Sequence, residues 1–232
     1  KIWGLGRLIE ELSKIKELRF IRYTTSHPLD MDIELIKAHR DFDKLMPYLH
    51  LPVQSGSDKV LKMMNRKHSS KEYIKVVEKV RDYNPQIAIS GDFIIGFPGE
   101  TDNDHQATLN LIKEINYSQA YSFKYSSRPG TPSAVFFDHV DEDIKSARLQ
   151  EVQNLLRVQQ MSFNKKSINS TLNVLVMKKG KKNNQYLGRT PFNQSIYFSS
   201  NNNNLIGSTI DITVTDAFQN SLTGIVKSNK YI

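Results

Sequence analysis

The chain has 232 residues, 38% of them hydrophobic, which is enough for one large domain or two unequal ones with a core. It contains no cysteine, which excludes disulfides, thiolate metal ligands and a cysteine nucleophile, and no apolar run reaches the roughly 18 residues of a membrane span. With no secretory leader visible, a cytoplasmic protein without a membrane partner is expected, and the net charge of +8 points to a polyanionic one.

In chain order, helical periodicity over residues 5–16 precedes a β-rich run at 20–25 and a second helical stretch at 32–39. A strand is predicted at 48–53, a helix at 71–82, a strand at 87–95, a helix at 102–115 and a strand at 119–125. Ser69 with Glu72, and Thr101 with Asp104, have the spacing of capping boxes. Strands alternating with helices predict βα units and a parallel sheet, as a barrel or a doubly wound sheet.

Ligands of such sheets bind beyond the carboxyl ends of the strands. The predicted strand ends run into Thr25-Ser26-His27-Pro28, Gln54-Ser55-Gly56-Ser57, Gly96-Phe97-Pro98-Gly99-Glu100 and Ser126-Ser127-Arg128-Pro129-Gly130-Thr131. Four polar or small-residue loops in register predict a shared ligand face. Asp92, on an interior strand beside Phe93, needs hydrogen-bond donors or a cation. Its partner is either a neighbouring loop or a ligand's hydroxyl or amine. Gly96 and Gly99 allow backbone to approach a ligand or simply permit positive φ. His27, next to Pro28, reads as a structural loop histidine.

A long helix is predicted at 141–166. Short alternating runs follow at 171–177, 185–190, 195–198, 208–215 and 221–226, the pattern of a small all-β barrel. No Asp or Glu lies between Val152 and Ile210, whereas Arg157, Lys165, Lys166, Lys178, Lys179, Lys181, Lys182 and Arg189 do, so this segment carries the whole net charge of +8. A basic β-module on a neutral body suggests nucleic-acid binding; a solvated lysine-rich surface is the plainer alternative.

The stretches RYTTSHP, LHLPVQSGSDKVLKMMNRKHS, ISGDFIIGFPGET, AYSFKYSSRPGTP and LGRTPFNQ span nearly the whole chain. In this order they resemble the radical S-adenosylmethionine methylthiotransferases, and NRKHS and LGRTPFNQ are most similar to the branch that modifies tRNA. The resemblance implies an α/β fold, a partial radical-SAM (β/α) barrel truncated at its amino end over residues 1–167. A small all-β TRAM barrel that binds RNA would follow over residues 168–232. It implies transfer of a methylthio group to C2 of N(6)-dimethylallyladenosine beside the anticodon, through a radical generated from S-adenosylmethionine, with two [4Fe-4S] clusters and a reductant for them.

Carried over by motif, Gln54, Ser55, Asp92, Ile94, Gly96 and Ser126 would face S-adenosylmethionine, with Arg66 for its carboxylate, and Lys178, Lys179, Lys181, Lys182 and Arg189 would face tRNA. The third strand departs from the superfamily's usual form in having Asp92 where glycine often stands and the acid one place later, at Glu100. The family's cluster-binding cysteines have no counterpart here. The expectation is a carboxyl-terminal portion that binds neither cluster, is inactive without an amino-terminal cluster-bearing portion, and self-associates through an unpaired edge at 20–25. A stand-alone RNA-binding remnant, a methylthiotransferase acting on another tRNA base or a ribosomal protein, and a cofactor-free acid–base enzyme acting on a phosphorylated metabolite are the alternatives.

Overall fold

The computed structural model describes residues 3–24 and 27–227. The described chain separates into two compact units, 1–157 and 158–232.

Unit 1 is built on a three-stranded parallel sheet in the order β1-β2-β3, with β1 at Tyr48–His50, β2 at Ala88–Ile95 and β3 at Gln119–Lys124. Parallel neighbours need long crossovers, and the helices supply them. They are α1 (Leu5–Ser13), α2 (Ile33–Asp41), α3 (Asp58–Met63), α4 (Ser70–Tyr83) and α5 (Asp102–Ile115), followed by the start of α6 (Glu142–Lys165). Both predicted capping boxes form: the Ser69 and Thr101 hydroxyls accept from the third helical N–H, and Glu72 and Asp104 reach back to the N-cap N–H. Helix α4 buries Tyr73, Val77 and Val80, one stripe at helical spacing, and α5 buries Leu109, Ile112 and Ile115. These side chains enclose β2 with Leu49, Leu51, Val53, Ile89, Phe93 and Ile95, and Val152 and Leu156 of α6 complete the core.

Two strand predictions require correction. Among the described residues, the run at 20–25 is no strand: only Ile21 is held, in an isolated parallel bridge to Leu45, and Thr25 and Ser26 lie outside the described residues. β-propensity without a partner ladder does not make a strand, and the apolar edge expected there is not formed as one. The run at 48–53 is a strand only to His50. Leu51 still donates to Ser90 O (2.8 Å), but Pro52 has no N–H to continue the ladder, which is resumed by Gln54 N donating to Asp92 O at 2.9 Å. Helix α3, not predicted from the sequence, follows directly on the Gln54–Ser57 loop. Ser57 caps it by accepting from Val60 N.

Unit 2 is a closed barrel in the order β4-β5-β6-β8-β7. Its strands are β4 (Thr171–Lys179), β5 (Gln185–Arg189), β6 (Ser195–Ser199), β7 (Thr209–Ala217) and β8 (Leu222–Val226). All pairs are antiparallel except β6 with β8. Val174, Val176, Tyr186, Ile196, Phe198, Ile212, Val214 and Leu222 fill the interior. Gly188 permits this closure, since a Cβ there would sit 2.2 Å from Val174 Cγ1.

The division between units falls inside α6, earlier than the boundary after residue 167 expected from the sequence. The cause is a set of polar ties within unit 2. Asn164 Nδ2 donates to the carbonyls of Phe218 (2.8 Å) and Gln219 (3.1 Å), and Gln194 Nε2 donates to Asn164 Oδ1 at 2.9 Å. The last turns of α6 therefore belong to the barrel. No described helix is long and apolar enough to cross a membrane.

Candidate functional site

Gly96, immediately beyond β2, has φ +74°, a left-handed conformation that favours glycine, and a Cβ there would lie 2.3 Å from Lys145 Cγ. Its N–H donates to both carboxylate oxygens of Glu100, each at 3.1 Å. Glu100 is buried, and Arg148 of α6 donates to its carboxylate at 2.9 Å, to its carbonyl at 3.1 Å and to Asp102 at 2.7 Å. Burial raises the Glu100 pKa against the lowering by the Gly96 amide and the guanidinium. The GFPGE loop is thus an internal clamp. Its glutamate faces the protein and its first glycine has its amide occupied.

A second carboxylate joins this loop to the one after β1. Asp104 accepts from Ser57 Oγ (2.6 Å), from the Thr101 N–H (2.9 Å) and hydroxyl (2.7 Å), and from Lys59 Nζ (3.1 Å), which also donates to Gly99 O at 2.7 Å. Burial opposes its charge, but these donors outweigh it and hold its pKa far below the usual carboxylate range. Ser55 belongs to the same interior: fully buried, its hydroxyl lies 3.3 Å from Thr108 Oγ1 of α5 and accepts from Ser57 N at 3.2 Å.

The exposed side of the strand ends is different. Asp92 is not sealed: its side chain is 26% exposed, and its Oδ2 lies 3.3 Å from His50 Nε2. His50 in turn meets Ser90 Oγ through Nδ1 at 3.0 Å. Gln54, in a left-handed conformation at φ 78°, lies against β2, donating to Asp92 O and accepting from Ile94 N, each at 2.9 Å. Arg66 follows Asn65, which is also left-handed (φ 58°), and feels the Asp92 charge, although burial lowers its pKa. Of the residues assigned to the cofactor, Gln54, Ile94 and Arg66 thus gather about Asp92. Ser126 is exposed in the loop after β3, while Ser55 and the Gly96 amide are engaged internally.

His50 and Arg148 went unrecognised in the sequence. His50 interrupts the apolar LHL stretch as Asp92 interrupts β2, and that matching interruption was the available signal; nothing local marked Arg148.

Near Arg66, His68 Nδ1 lies 3.3 Å from His27 Nε2, the rings meeting edge-on at a centroid separation of 4.9 Å. Burial, then the charges of His27 and Arg66, lowers the His68 pKa to about 4, and burial and Arg66 lower that of His27. His39, buried with its Nε2 2.6 Å from Tyr23 Oη, is likewise lowered by burial to about 4.

On the barrel, Lys178 and Lys179 at the end of β4 and Lys181 and Lys182 in the following turn are exposed and adjacent. Arg189 is not with them. It pairs with Leu175, whereas Lys179 pairs with Tyr186, so it stands roughly 13 Å along the ladder. Its guanidinium donates to Asn193 O at 2.9 Å.

Residues 2–112 match the family model of the radical SAM superfamily, and residues 165–227 match that of the TRAM domain. The chain is 53% identical over 226 residues to the tRNA-2-methylthio-N(6)-dimethylallyladenosine synthase of Ehrlichia chaffeensis, covering 97% of this chain and 51% of that relative. It is 50% identical over 224 residues to the synthase of the same name from Rickettsia rickettsii (strain Sheila Smith), covering 97% of this chain and 50% of the relative. The chain spans about half the length of the curated relatives it matches. Coproporphyrinogen III oxidase (HemN) from Escherichia coli, described as a radical SAM enzyme, is similar in structure with a TM-score of 0.51. That likeness covers 80% of this chain and 51% of the other at 14% identity, and it concerns the fold alone. The fold class read from the sequence, a radical SAM α/β unit followed by a TRAM barrel, is the one found.

Two predictions follow from the geometry. Arg148→Met, which leaves a buried carboxylate facing an apolar side chain, should destabilise unit 1 by about 3–5 kcal/mol in urea unfolding, and Glu100→Gln in the same chain should recover part of that loss. A full additive loss in the double variant would show that the two groups act separately. The histidines set a pH window. Between about 6.5, the unfolded value, and about 4, the folded value of His39 and His68, the unfolded chain binds more protons than the folded one. Stability should therefore fall as pH drops from 6.5 toward 4, by up to about 3 kcal/mol for His39 and by less for His68, whose surroundings are less fully desolvated. Urea midpoints at pH 7 and 5 should converge in His39→Gln and His68→Gln relative to the unsubstituted chain; unchanged pH dependence in both would contradict the assignment.

Proposed function

We propose that this chain is the S-adenosylmethionine-binding and RNA-binding part of a tRNA methylthiotransferase that adds a methylthio group to C2 of N(6)-dimethylallyladenosine in the cytoplasm. The observation that carries the proposal is the partly exposed Asp92, held by His50 in the carboxyl-terminal half of β2, in a chain half-identical to two synthases of that name across both units.

S-adenosylmethionine fits the chemistry of this face. Asp92 can accept from the ligand's amine or hydroxyl groups, and its link to His50 keeps the carboxylate positioned while the ligand is absent. Arg66 offers a cation for the ligand carboxylate, its guanidinium already partly desolvated. Ile94 gives an apolar surface for a purine, and Gln54 an amide that both donates and accepts. Bound there, S-adenosylmethionine supplies the methyl group and the hydrogen-abstracting chemistry. This chain's residues bind and orient it. Lys178, Lys179, Lys181 and Lys182 meet tRNA phosphates without reading sequence; Arg189 shapes the β5–β6 turn and is a weaker RNA candidate.

Iron–sulfur clusters do not fit the residues present, because cluster irons need thiolates and the chain has no cysteine. In this proposal two [4Fe-4S] clusters and their reductant act through a separate cysteine-bearing amino-terminal portion.

The test joins this chain to the half of the Ehrlichia chaffeensis relative that it does not match. The fusion is produced in cells lacking the modification, and tRNA nucleosides are analysed by mass spectrometry. Methylthiolated N(6)-dimethylallyladenosine is expected, falling at least about tenfold in Asp92→Ala, as for loss of one charge-assisted contact. A folded fusion that yields none, beside an active parent relative, would overturn the proposal.

A further inference from the structure

The barrel carries a feature that the cationic turn does not account for. β6 and β8 pair only at Ile196 with Leu222 and Tyr197 with Thr223, in parallel. Alongside this short pairing lies a cavity of about 260 Å³ lined by Gln185, Tyr197, Ser199, Thr223, Ile225 and Val226 among others.

The lining has the composition of a site for a flat, polar-edged group. Tyr197 is half-buried, and among the described residues its side chain makes no hydrogen bond or ring contact, so its aromatic surface is free to stack. Ile225, 61% exposed, adds an apolar wall. Gln185 and Ser199 add hydrogen-bonding groups: Gln185 Oε1 accepts from Lys182 N at 3.3 Å, which leaves the amide NH₂ without a described partner.

Charge decides the occupant. Gln185 begins β5 and joins directly to the turn bearing Lys181 and Lys182, and its carbonyl accepts from Gly180 N at 2.7 Å. The cavity therefore opens beside cations at its Gln185 end. At the other end Thr223 Oγ1 donates to Asp216 Oδ2 at 3.2 Å, placing a carboxylate there. A phosphate is favoured at the first end and repelled at the second, and a neutral ring fits between them.

We propose that this cleft takes one unstacked base of bound RNA, stacked on Tyr197, with the phosphate of the same nucleotide on the Lys178–Lys182 turn. The proposal rests on the reading of the barrel as an RNA-binding module. It adds a base-contacting site to a phosphate-contacting turn, using the stacking by which single-stranded nucleic acid is held.

The experiment uses the full chain and a fluorescein-labelled single-stranded RNA heptamer, with affinity measured by anisotropy across a salt series. Tyr197→Ala should weaken binding about five- to one-hundred-fold with the salt slope unchanged, the loss expected for one stacked base. Tyr197→Phe should retain affinity, and Ile225→Glu, at an exposed position, should lose it. Lys181→Ala with Lys182→Ala should instead make the negative slope of log K against log salt shallower by about 1.4. Heptamers carrying one abasic site should reveal a position at which base loss weakens the unsubstituted chain and has no further effect in Tyr197→Ala. Salt-dependent RNA binding that is indifferent to Tyr197, Ile225 and every abasic position would overturn the pocket and leave the RNA-binding reading standing. Absence of RNA binding by the unsubstituted chain would overturn both. Displacement of the RNA by an unlabelled valine–threonine heptapeptide would mark the cleft as a strand-accepting edge and overturn the base site.

Discussion

The buried carboxylate of Glu100 is the constraint on which the first unit depends. It satisfies the Gly96 amide at the end of β2 and is neutralised by Arg148 of α6, which also reaches Asp102 in the first turn of α5. One charge thereby fixes where a strand stops, where the next helix begins and where the long helix docks. Breaking either half of such a pair strands a desolvated charge, so the three elements are held together more firmly than any one contact holds them. Asp104 extends the arrangement sideways, joining the loops after β1 and β2 through Ser57 and Lys59. With Glu100, Asp104 and Ser55 engaged in the interior, the groups left toward solvent at the strand ends are those that suit a ligand: Asp92, His50, Arg66 and Gln54.

Much of the fold was legible in the sequence because local signals agreed with tertiary demands. Helix α5 occupies the residues its capping box and apolar stripe predict, and the five short runs after residue 170 all became barrel strands. Local signals failed where a long-range partner decides the outcome. The run at 20–25 has strand-forming residues, yet only Ile21 is paired, and Pro52 ended β1 through a missing N–H that matters only once the neighbour is known. Helix α3 is only six residues long, too short for a periodic signal, and is capped by the last serine of the preceding loop.

The candidate site was legible only in part, for the same reason. Asp92 was found because a carboxylate in an apolar strand is conspicuous, but its proximity to His50 spans two strands and cannot be read from either. Ser55 has the composition of a ligand contact, and only the packing of α5 shows that Thr108 takes its hydroxyl. Arg189 matched the basic run in sequence, but the ladder register carries it to the far end of the β4–β5 hairpin. Sequence identifies residue types suited to a role; register and helix docking decide which of them share a surface.

The two units divide the chemistry between them. The first offers hydrogen-bonding and charged groups around a partly exposed carboxylate, and the second a cationic turn beside an aromatic cleft. The claim that links structure to function most closely is that the β2 end around Asp92 is the S-adenosylmethionine face. Hydrogen–deuterium exchange of the full chain with and without S-adenosylmethionine tests it directly. The account predicts slower exchange in residues 50–57 and 92–100 on addition of the ligand, lost in Asp92→Ala. Unchanged exchange in those segments, or protection confined to the barrel, would contradict it.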